Sequence, residues 1–397
     1  MPTTPTLHTL DTPAALHDPY PHYRLLRETA PVLWDPVGYH WTVTRHREVT
    51  QALNSPALHA APRRLGPRTP PTLRLLNSTM LDSDPPEHTR RRRAFSKAFT
   101  PRLIADLQPV ITRQVHDALN RTHHRGHMDL IGELAAPLPL HVIGELLGVP
   151  PQHRGLLHAG SRGYARLWGG DETDPSTIQQ AVDDVVAAID YCRQLVTQRR
   201  HLPSSDLTSK LLAASDDATA LTNDELAVNL FVVFTAGHYT TTDFLGSSLV
   251  ALMHHRDQWQ VLCDDPSTTP SAVWELLRYE PPVQFILRIA ADDLQLGGCH
   301  IQAGQLVVLL LAAANRDPRA FPDPDRLDLK RTHNHHLAMG HGIHACLGSA
   351  LARTQSEIVL TRLATHIPHL RLDPQSTITW KRNAGLRGPL RLDMRWD

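Results

Sequence analysis

Apolar residues recur at positions i, i+3 and i+4 along most of the chain, the spacing of one face of an amphipathic helix. Five long segments carry this pattern: residues 101–120, 177–200, 223–254, 270–279 and 346–366. Short apolar runs typical of strands occupy residues 39–44, 284–289 and 306–311, with another near the C-terminus. The longest apolar run, residues 306–314, is far shorter than the ~20 residues of a membrane-spanning helix. The pattern predicts a mainly α protein with small β-sheets.

The organisation of the chain indicates a single large domain. We find no internal repeat and no low-complexity linker. The proline-rich stretch from Pro56 to Pro71 is interpreted as a loop, because a helical pattern resumes soon after it. Thr222, followed three residues later by Glu225, is typical of the capping box that begins a helix. We therefore predict one domain over residues 1–397.

The charges of the chain are balanced, since 40 Lys and Arg residues offset 40 Asp and Glu residues among 397. A protein that binds nucleic acid or a membrane surface would need a basic excess, so neither partner is expected. The four cysteines lack Cys-x-x-Cys spacing, which argues against a zinc site or disulfide framework. No basic start followed by an apolar stretch opens the chain, which favours a cytoplasmic protein.

The segment 339–348, Met-Gly-His-Gly-Ile-His-Ala-Cys-Leu-Gly, is the most informative motif. Its glycines formally fit a dinucleotide-binding fingerprint, but that motif needs a buried strand before it, and residues 333–338, His-Asn-His-His-Leu-Ala, do not have the pattern of one. Cys346 instead stands at a predicted helix start, where the positive helix end stabilises a thiolate. Flanking glycines let the backbone pass close to a flat ligand, and a thiolate suits a haem iron. The alternative is an ordinary buried cysteine that caps a helix.

With these residues, the chain resembles the cytochrome P450 family of haem-thiolate oxygenases. The family's haem loop is matched by Gly342, His344, Cys346 and Gly348, with Met339 in place of the usual Phe. The resemblance covers nearly the whole chain. It implies the cytochrome P450 fold, enclosing haem b, with Cys346 as the iron ligand.

The resemblance also assigns residues around the cofactor. Glu275 and Arg278 match the family's Glu-x-x-Arg, and Arg326 matches a later arginine-containing loop, all three in a structural role. Four cationic residues are implied to hold the haem propionates: His88, Arg92, Arg288 and His344.

The arginine run that contains Arg92 has a second interpretation. Four consecutive helical residues point around the whole axis, so we expect Arg92 to face inward and Arg90, Arg91 and Arg93 to be exposed. Exposed arginines would dock an acidic electron donor. The resemblance implies a ferredoxin, served by a ferredoxin reductase. The alternative that the run binds DNA is disfavoured by the zero net charge.

The long central helix carries Ala-Gly-His-Tyr-Thr-Thr at residues 236–241. By resemblance, Thr240 opens the helix to molecular oxygen and water. Tyr239 occupies the place of the family's acidic residue, and a phenol with an ordinary pKa near ~10 relays protons poorly at neutral pH. We therefore expect proton flow to use Thr240, ordered water and the substrate, or the phenol merely to pack. The nearest carboxylate, Asp243, lies one turn further on.

The substrate pocket is predicted from the same comparison, although helix core or simple packing is the alternative for several of its members. The predicted lining residues are Leu76, Trp168, Val232, Thr235, Ala236, Gln284, Ile286 and Leu386.

These assignments predict a monooxygenase-type enzyme that oxidises a small, apolar natural-product intermediate in secondary metabolism, such as antibiotic biosynthesis. One alternative is oxidative C–C or C–N coupling of aromatic substrates such as cyclic dipeptides, without oxygen insertion. An alternative of another class is a non-catalytic protein that binds haem or another ligand.

Overall fold

The computed structural model describes residues 12–60, 69–169, 174–214 and 220–396. Fifteen α-helices lie within these ranges. They are α1 Pro13–His17, α2 Tyr20–Thr29, α3 His46–Leu53, α4 Pro71–Arg74, α5 Glu87–Ala98, α6 Pro101–His123, α7 Pro137–Leu147, α8 Pro151–Gly169, α9 Pro175–His201, α10 Leu207–Ala213, α11 Asn223–His254, α12 Arg256–Asp264, α13 Thr269–Tyr279, α14 Leu311–Ala314 and α15 Ser349–His366.

The strands are few and short. They are β1 Val32–Asp35, β2 His40–Val43, β3 Leu58–Ala60, β4 His127–Asp129, β5 Ile286–Ala290, β6 Leu294–Leu296, β7 Cys299–Ile301, β8 Leu306–Leu309, β9 Arg371–Leu372, β10 Thr379–Trp380, β11 Pro389–Arg391 and β12 Asp393–Arg395. The predicted mainly α class with small sheets is confirmed.

Most predicted elements differ from the structure by one to three residues at their ends, and two of these differences change the local structure. The helix predicted over 346–366 begins only at Ser349, with Gly348 at its N-cap, so Cys346 lies outside it. The strand predicted over 306–311 ends at Leu309, because the chain turns there into α14 and the Ala314 N–H donates to the Leu310 carbonyl oxygen. Residues 306–314 are all apolar, so periodicity does not show where the strand ends and the helix begins.

The chain divides into two compact units. The first contains residues 1–59, 112–135 and 240–397, and the second contains residues 60–111 and 136–239. Helices α6 and α11 contribute residues to both. The single domain over residues 1–397 stays a prediction.

The first unit is built around a five-stranded sheet with strand order β1-β2-β8-β5-β3. Strands β2 and β8 are parallel, whereas β5 runs antiparallel to β8 with Arg288 opposite Val307. Buried aliphatic side chains, including Val43, Val49 and Leu309, form the core against it. This sheet fixes the position of Arg288.

The second unit is helical. Helices α8 and α9 pack closely because two α8 residues have no side chain. A Cβ on Gly160 would overlap Ala188, and a Cβ on Gly163 would meet the Ala181 carbonyl oxygen at 2.5 Å. Neither contact is compatible with a larger residue.

The predicted capping box begins α11. The Thr222 hydroxyl accepts a hydrogen bond from the Glu225 N–H, and the Glu225 carboxylate accepts one from the Thr222 N–H, both at 3.1 Å. Reciprocal bonds of this kind satisfy two donors that a helix start otherwise leaves unpaired.

No single helix within the described ranges is long and apolar enough to cross a membrane. One pair of helices, Ile131–Leu147 with Pro151–Leu167, passes on length and composition, but it is bent by 113°.

A fully buried ion pair on α13 is the main polar feature of the first unit. Glu275 and Arg278 form two parallel hydrogen bonds of 2.8 Å, and neither side chain is exposed. The Glu275 carboxylate also accepts from Arg331 Nε at 3.1 and 3.2 Å. The structure corrects one assignment here. Arg326 is exposed and contributes only its carbonyl oxygen, while Arg331 supplies the second guanidinium.

Replacing Glu275 by Gln leaves the Arg278 and Arg331 cations without a carboxylate in a buried position. We expect E275Q to lower the free energy of unfolding by about 3–5 kcal/mol, because a buried charge without its partner is strongly destabilising. Urea titration followed by circular dichroism measures it. The control is R391M in the exposed Arg391–Asp393 pair, where water screens the charges and the loss should be much smaller. Equal losses in the two variants would contradict this prediction.

Candidate active site

Cys346 lies in a tight loop immediately before α15. Its backbone N–H donates to the Met339 carbonyl oxygen at 2.8 Å, and a single 3-10 turn, Gly342–His344, fills the loop. Gly342 has φ of +70°, and a Cβ there would lie 2.8 Å from the Leu53 carbonyl oxygen. Glycine alone tolerates both this backbone conformation and this close approach. The loop therefore holds residue 346 in a defined position.

Cys346 differs from the other three cysteines, all of which the structure describes. It is exposed, whereas Cys192 is buried on α9, where burial raises the pKa of the thiol to about 12. Cys263 and Cys299 are partly buried, and their thiols donate to backbone carbonyl oxygens at 3.9 and 3.7 Å. Cys346 is thus the accessible thiol of the chain.

Two of the predicted propionate ligands lie in the same unit as Cys346. Arg288 is on β5, is 8% exposed, and donates from one terminal nitrogen to the Leu287 carbonyl oxygen at 2.8 Å. Side chains alternate along a strand, so Ile286 shares the face of Arg288 while Leu287 points to the other. His344 is half-buried in the 3-10 turn of the cysteine loop.

Gln284 is buried just before β5 and is committed to contacts within the protein. Its side-chain oxygen accepts from the Tyr23 hydroxyl at 2.9 Å, and its side-chain nitrogen donates to the Pro281 carbonyl oxygen at 2.6 Å. These bonds engage both ends of the amide, so Gln284 supports the segment that leads into β5. Leu386, by contrast, is half-buried and lies opposite Val283 in an isolated β-bridge.

Helix α11 presents an open face near the predicted oxygen-binding threonine. Thr240 is half-buried, and Ala236, one turn earlier on the same face, is exposed. The residues that follow, Thr241 to Asp243, are buried. Ala236 and Thr240 are therefore each more accessible than the residues that follow them on α11.

The other predicted pocket residues are mostly buried. Leu76 is completely buried. Val232 is 4% exposed, as expected for the alternative that it belongs to the helix core. The Thr235 hydroxyl forms a 2.9 Å hydrogen bond with that of Ser161 on α8. Trp168 falls on α8, but its side chain lies outside the described part of the structure.

Tyr239 belongs to a cluster of three rings in the second unit. Its ring lies 4.5 Å from that of His238 and 6.2 Å from that of His158, with the latter pair nearly parallel at 18°. The two imidazoles are themselves 4.9 Å apart. Burial, together with Arg162, lowers the pKa of His158, so its imidazole is neutral at physiological pH. The phenol ring is therefore packed against a neutral imidazole, that of His158. No sequence motif pointed to His158 as a neighbour of Tyr239.

Helix α5 carries the remaining predicted propionate ligands. His88 is buried, at 2% exposure, and Arg92 is half-buried. They are four residues apart on the helix and therefore share a face. This placement agrees with the inward direction predicted for Arg92.

The structure corrects the expectation for two neighbours of Arg92. Arg91 is 7% exposed, and the Glu225 carboxylate accepts from it at 3.0 and 3.1 Å. Arg90 is half-buried and binds the same carboxylate. Burial raises the pKa of Glu225, but bonds from Arg90, from the Thr222 N–H and from Arg91 outweigh it and hold the pKa below its usual range. Within the run 90–93, Arg93 is the exposed residue.

The residues present suit haem. An accessible thiol stands in a loop whose glycines bring the backbone close, and no atom lies within 4 Å of a Cβ built on Gly348. A buried arginine, Arg288, supplies a cationic donor in the same unit, and His344 supplies an imidazole. An exposed thiol beside open space and a cationic donor is the set that an anionic porphyrin with an axial thiolate requires.

Comparison with known proteins decides the family. The family model "Cytochrome P450" matches residues 267–378, which contain Glu275, Arg278 and Cys346. The chain is 38% identical over 398 residues to nocardicin C N-oxygenase of Nocardia uniformis subsp. tsuyamanensis, with 97% of each chain covered. The chain belongs to the cytochrome P450 family.

Further relatives of this P450 agree. Cytochrome P450 monooxygenase PikC of Streptomyces venezuelae is 35% identical, with 96% of this chain and 91% of that protein covered. The crystal structure of P450BioI, in complex with an acyl carrier protein ligated by hexadec-9Z-enoic acid, matches with a TM-score of 0.90 and 32% identity over 96% of this chain and 98% of that one. This P450 is a haem-dependent monooxygenase, and bacterial P450s use redox partners and molecular oxygen.

Replacing Cys346 by Ala should abolish the red-shifted Soret band of the reduced carbon-monoxide complex, because that shift requires an axial thiolate. Difference spectra of purified P450 at equal protein concentration measure it. Separate Ala replacements of Cys192, Cys263 and Cys299 are the controls and should keep the band. A shifted band that persists in C346A would contradict the assignment.

Proposed function

We propose that this P450 oxidises a small, largely apolar natural-product intermediate in secondary metabolism, with haem b bound through the Cys346 thiolate. The observation that carries the proposal is the accessible Cys346 thiol, held in its glycine loop by the 2.8 Å bond to Met339. The relatives support the substrate class, since one is named as an N-oxygenase of nocardicin C. Similarity to named enzymes over nearly the whole chain favours an enzyme over a non-catalytic carrier.

Each residue has a defined part in this proposal. Haem, when bound, supplies the redox chemistry that activates molecular oxygen. Cys346 donates electron density to the iron, and Arg288, His344, His88 and Arg92 neutralise the propionates. Thr240 orders oxygen and water at the open face of α11. Apolar side chains such as Ile286 and Leu386 exclude water from the substrate.

Oxidative coupling of aromatic rings is the second candidate. The observation that favours it is Tyr239, which replaces the acidic residue of the family pattern and packs against His158 and His238. A packed phenol leaves the protons to Thr240, ordered water and the polar groups of the substrate. Turnover that depends on the substrate in this way suits reactions without oxygen insertion, such as coupling within cyclic dipeptides.

Replacing Tyr239 by Glu introduces a carboxylate that relays protons without help from the substrate. We expect Y239E to consume more oxygen without a proportional gain in product, measured as product formed per electron consumed. The substrate is first identified as a metabolite that shifts the haem spectrum in a binding screen. An inert analogue is assayed in parallel. The control is Y239F, which keeps the ring packing and should keep the wild-type ratio. A clean rise in product with Y239E would favour ordinary hydroxylation.

The electron donor is proposed to be an acidic ferredoxin, reduced by a ferredoxin reductase, that docks at Arg93 on α5. Support comes from the exposure of Arg93, whereas Arg90 and Arg91 are engaged by Glu225. A groove of about 560 Å³, lined by Pro85, Pro86, Thr89, Arg90 and Arg93, runs beside it.

Reversing the charge of Arg93 should slow reduction by ferredoxin and flatten the dependence of its rate on salt, because opposite charges steer the encounter. Stopped-flow reduction of R93E over a range of ionic strength measures both effects. R391E, at an exposed arginine on β11, is the control and should reduce like wild type. Unchanged rates in R93E would place the docking surface elsewhere.

A further inference from the structure

Asp243 is the titratable residue on α11 that the proposed function leaves unused. It lies three residues after Thr240, and its side chain is completely buried. Burial raises the pKa of its carboxyl, and the Lys381 ammonium opposes this effect. One oxygen, Oδ1, accepts from Lys381 Nζ, while Oδ2 has no hydrogen-bond partner among the described residues. A single ion pair therefore offsets the free-energy cost of burying this carboxylate.

The ion pair joins α11 to a loop that returns on itself. The Lys381 N–H donates to the Gly388 carbonyl oxygen at 3.0 Å and so closes the loop 381–388. A Cβ on Gly388 would overlap the Asp243 carboxylate, so glycine is required for this approach. The Ser247 hydroxyl, one turn further along α11, donates to the Arg387 carbonyl oxygen at 3.4 Å. All these contacts lie within the first unit.

A second set of bonds fixes the other side of the loop. The Gly385 carbonyl oxygen accepts from the Gln284 N–H at 2.9 Å, and the Arg387 N–H donates to the Pro282 carbonyl oxygen at 2.8 Å. The Arg387 guanidinium also binds the Glu280 carboxylate at 3.1 Å. These bonds tie the loop to the segment before β5. They do not involve α11.

Leu386 lies between the two attachments. It forms an isolated β-bridge with Val283. Two residues later in the chain, Gly388 packs against the Asp243 carboxylate. If the ion pair is lost, the bonds to residues 280–284 remain, and the 3.4 Å bond from Ser247 is the one described hydrogen bond that still joins the loop to α11. The loop can then shift relative to α11, and Leu386 shifts with it relative to Thr240.

We propose that the buried Asp243–Lys381 ion pair is a positioning device for substrate specificity, which sets the distance of the Leu386 loop from the helix that carries Thr240. This inference rests on the proposed function, because it takes Leu386 as part of the substrate pocket. Lys381 and Asp243 are positioning residues that act through the loop and do not touch the substrate.

The test compares two ligands that bind haem iron through the same imidazole nitrogen. Imidazole is too small to report on the pocket wall, whereas clotrimazole, a bulky triphenylmethyl imidazole, must fit against it. Spectral titration of the haem-loaded protein gives the dissociation constant of each. We expect D243N and K381M to change the clotrimazole-to-imidazole ratio by about tenfold, a size typical of altered apolar pocket contacts. K381R keeps the ion pair and should restore most of the wild-type ratio.

The matched control is D206N. Asp206 forms an ion pair with Arg199 in the second unit and is nearly as buried as Asp243, at 5% exposure of its side chain. D206N should destabilise the protein but leave the ratio unchanged. An equal change of the ratio in D206N would show a general effect of destabilisation and overturn the proposal.

Hydrogen exchange supplies a second reading that needs no ligand. The amide hydrogens of Lys381 and its loop, read by mass spectrometry on peptides that begin at least two residues before Lys381, should exchange faster in D243N and K381M than in wild type or D206N. The exchange measurement can also be made on a variant that loses haem. Unchanged exchange together with an unchanged ratio overturns the proposal. Absence of any azole spectrum in the wild type would instead contradict the proposed haem function, and exchange would still decide the role of the ion pair.

Discussion

The buried ion pair between Glu275 and Arg278 is the interaction on which the position of the cysteine loop depends. Arg278 binds the carbonyl oxygens of Asn315 and Pro324, and the Asn315 side chain in turn accepts from the Leu337 N–H at 2.7 Å. The Asn334 amide donates directly to the Glu275 carboxylate. Two buried charges are costly unless every donor and acceptor is satisfied. The segment that leads to Cys346 is therefore fixed by the same bonds that make the buried pair tolerable.

Local sequence was sufficient for the long helix α11 and for the glycine positions of the cysteine loop. The helix over 223–254 was predicted to the residue, because its apolar pattern is long and a capping box marks its start. The glycines around Cys346 predicted the loop for a related reason, since left-handed backbone and close approach restrict a position to glycine. In each case the determining interaction lies within a few residues of the feature.

Contacts between distant residues could not be predicted in this way. Arg91 is buried against Glu225, a partner 134 residues away in the sequence. Arg331 likewise binds Glu275 across 56 residues. Arg326 and Arg331 look equivalent in the sequence, and only packing distinguishes the exposed side chain from the buried one. The ion pair of Asp243 with Lys381 spans 138 residues. Periodicity shows which face of a helix or strand a residue occupies, but it does not show which distant residue contacts it there.

The central claim is that the Cys346 sulfur is the axial ligand of haem iron in this P450. X-ray absorption at the iron edge of the purified holoprotein tests it directly, because sulfur and nitrogen ligands scatter differently and lie at different distances. The account predicts one sulfur scatterer at bonding distance in the wild type and none in Cys346→His, which offers a nitrogen at the same position. An iron coordinated only by nitrogen and oxygen in the wild type would contradict it.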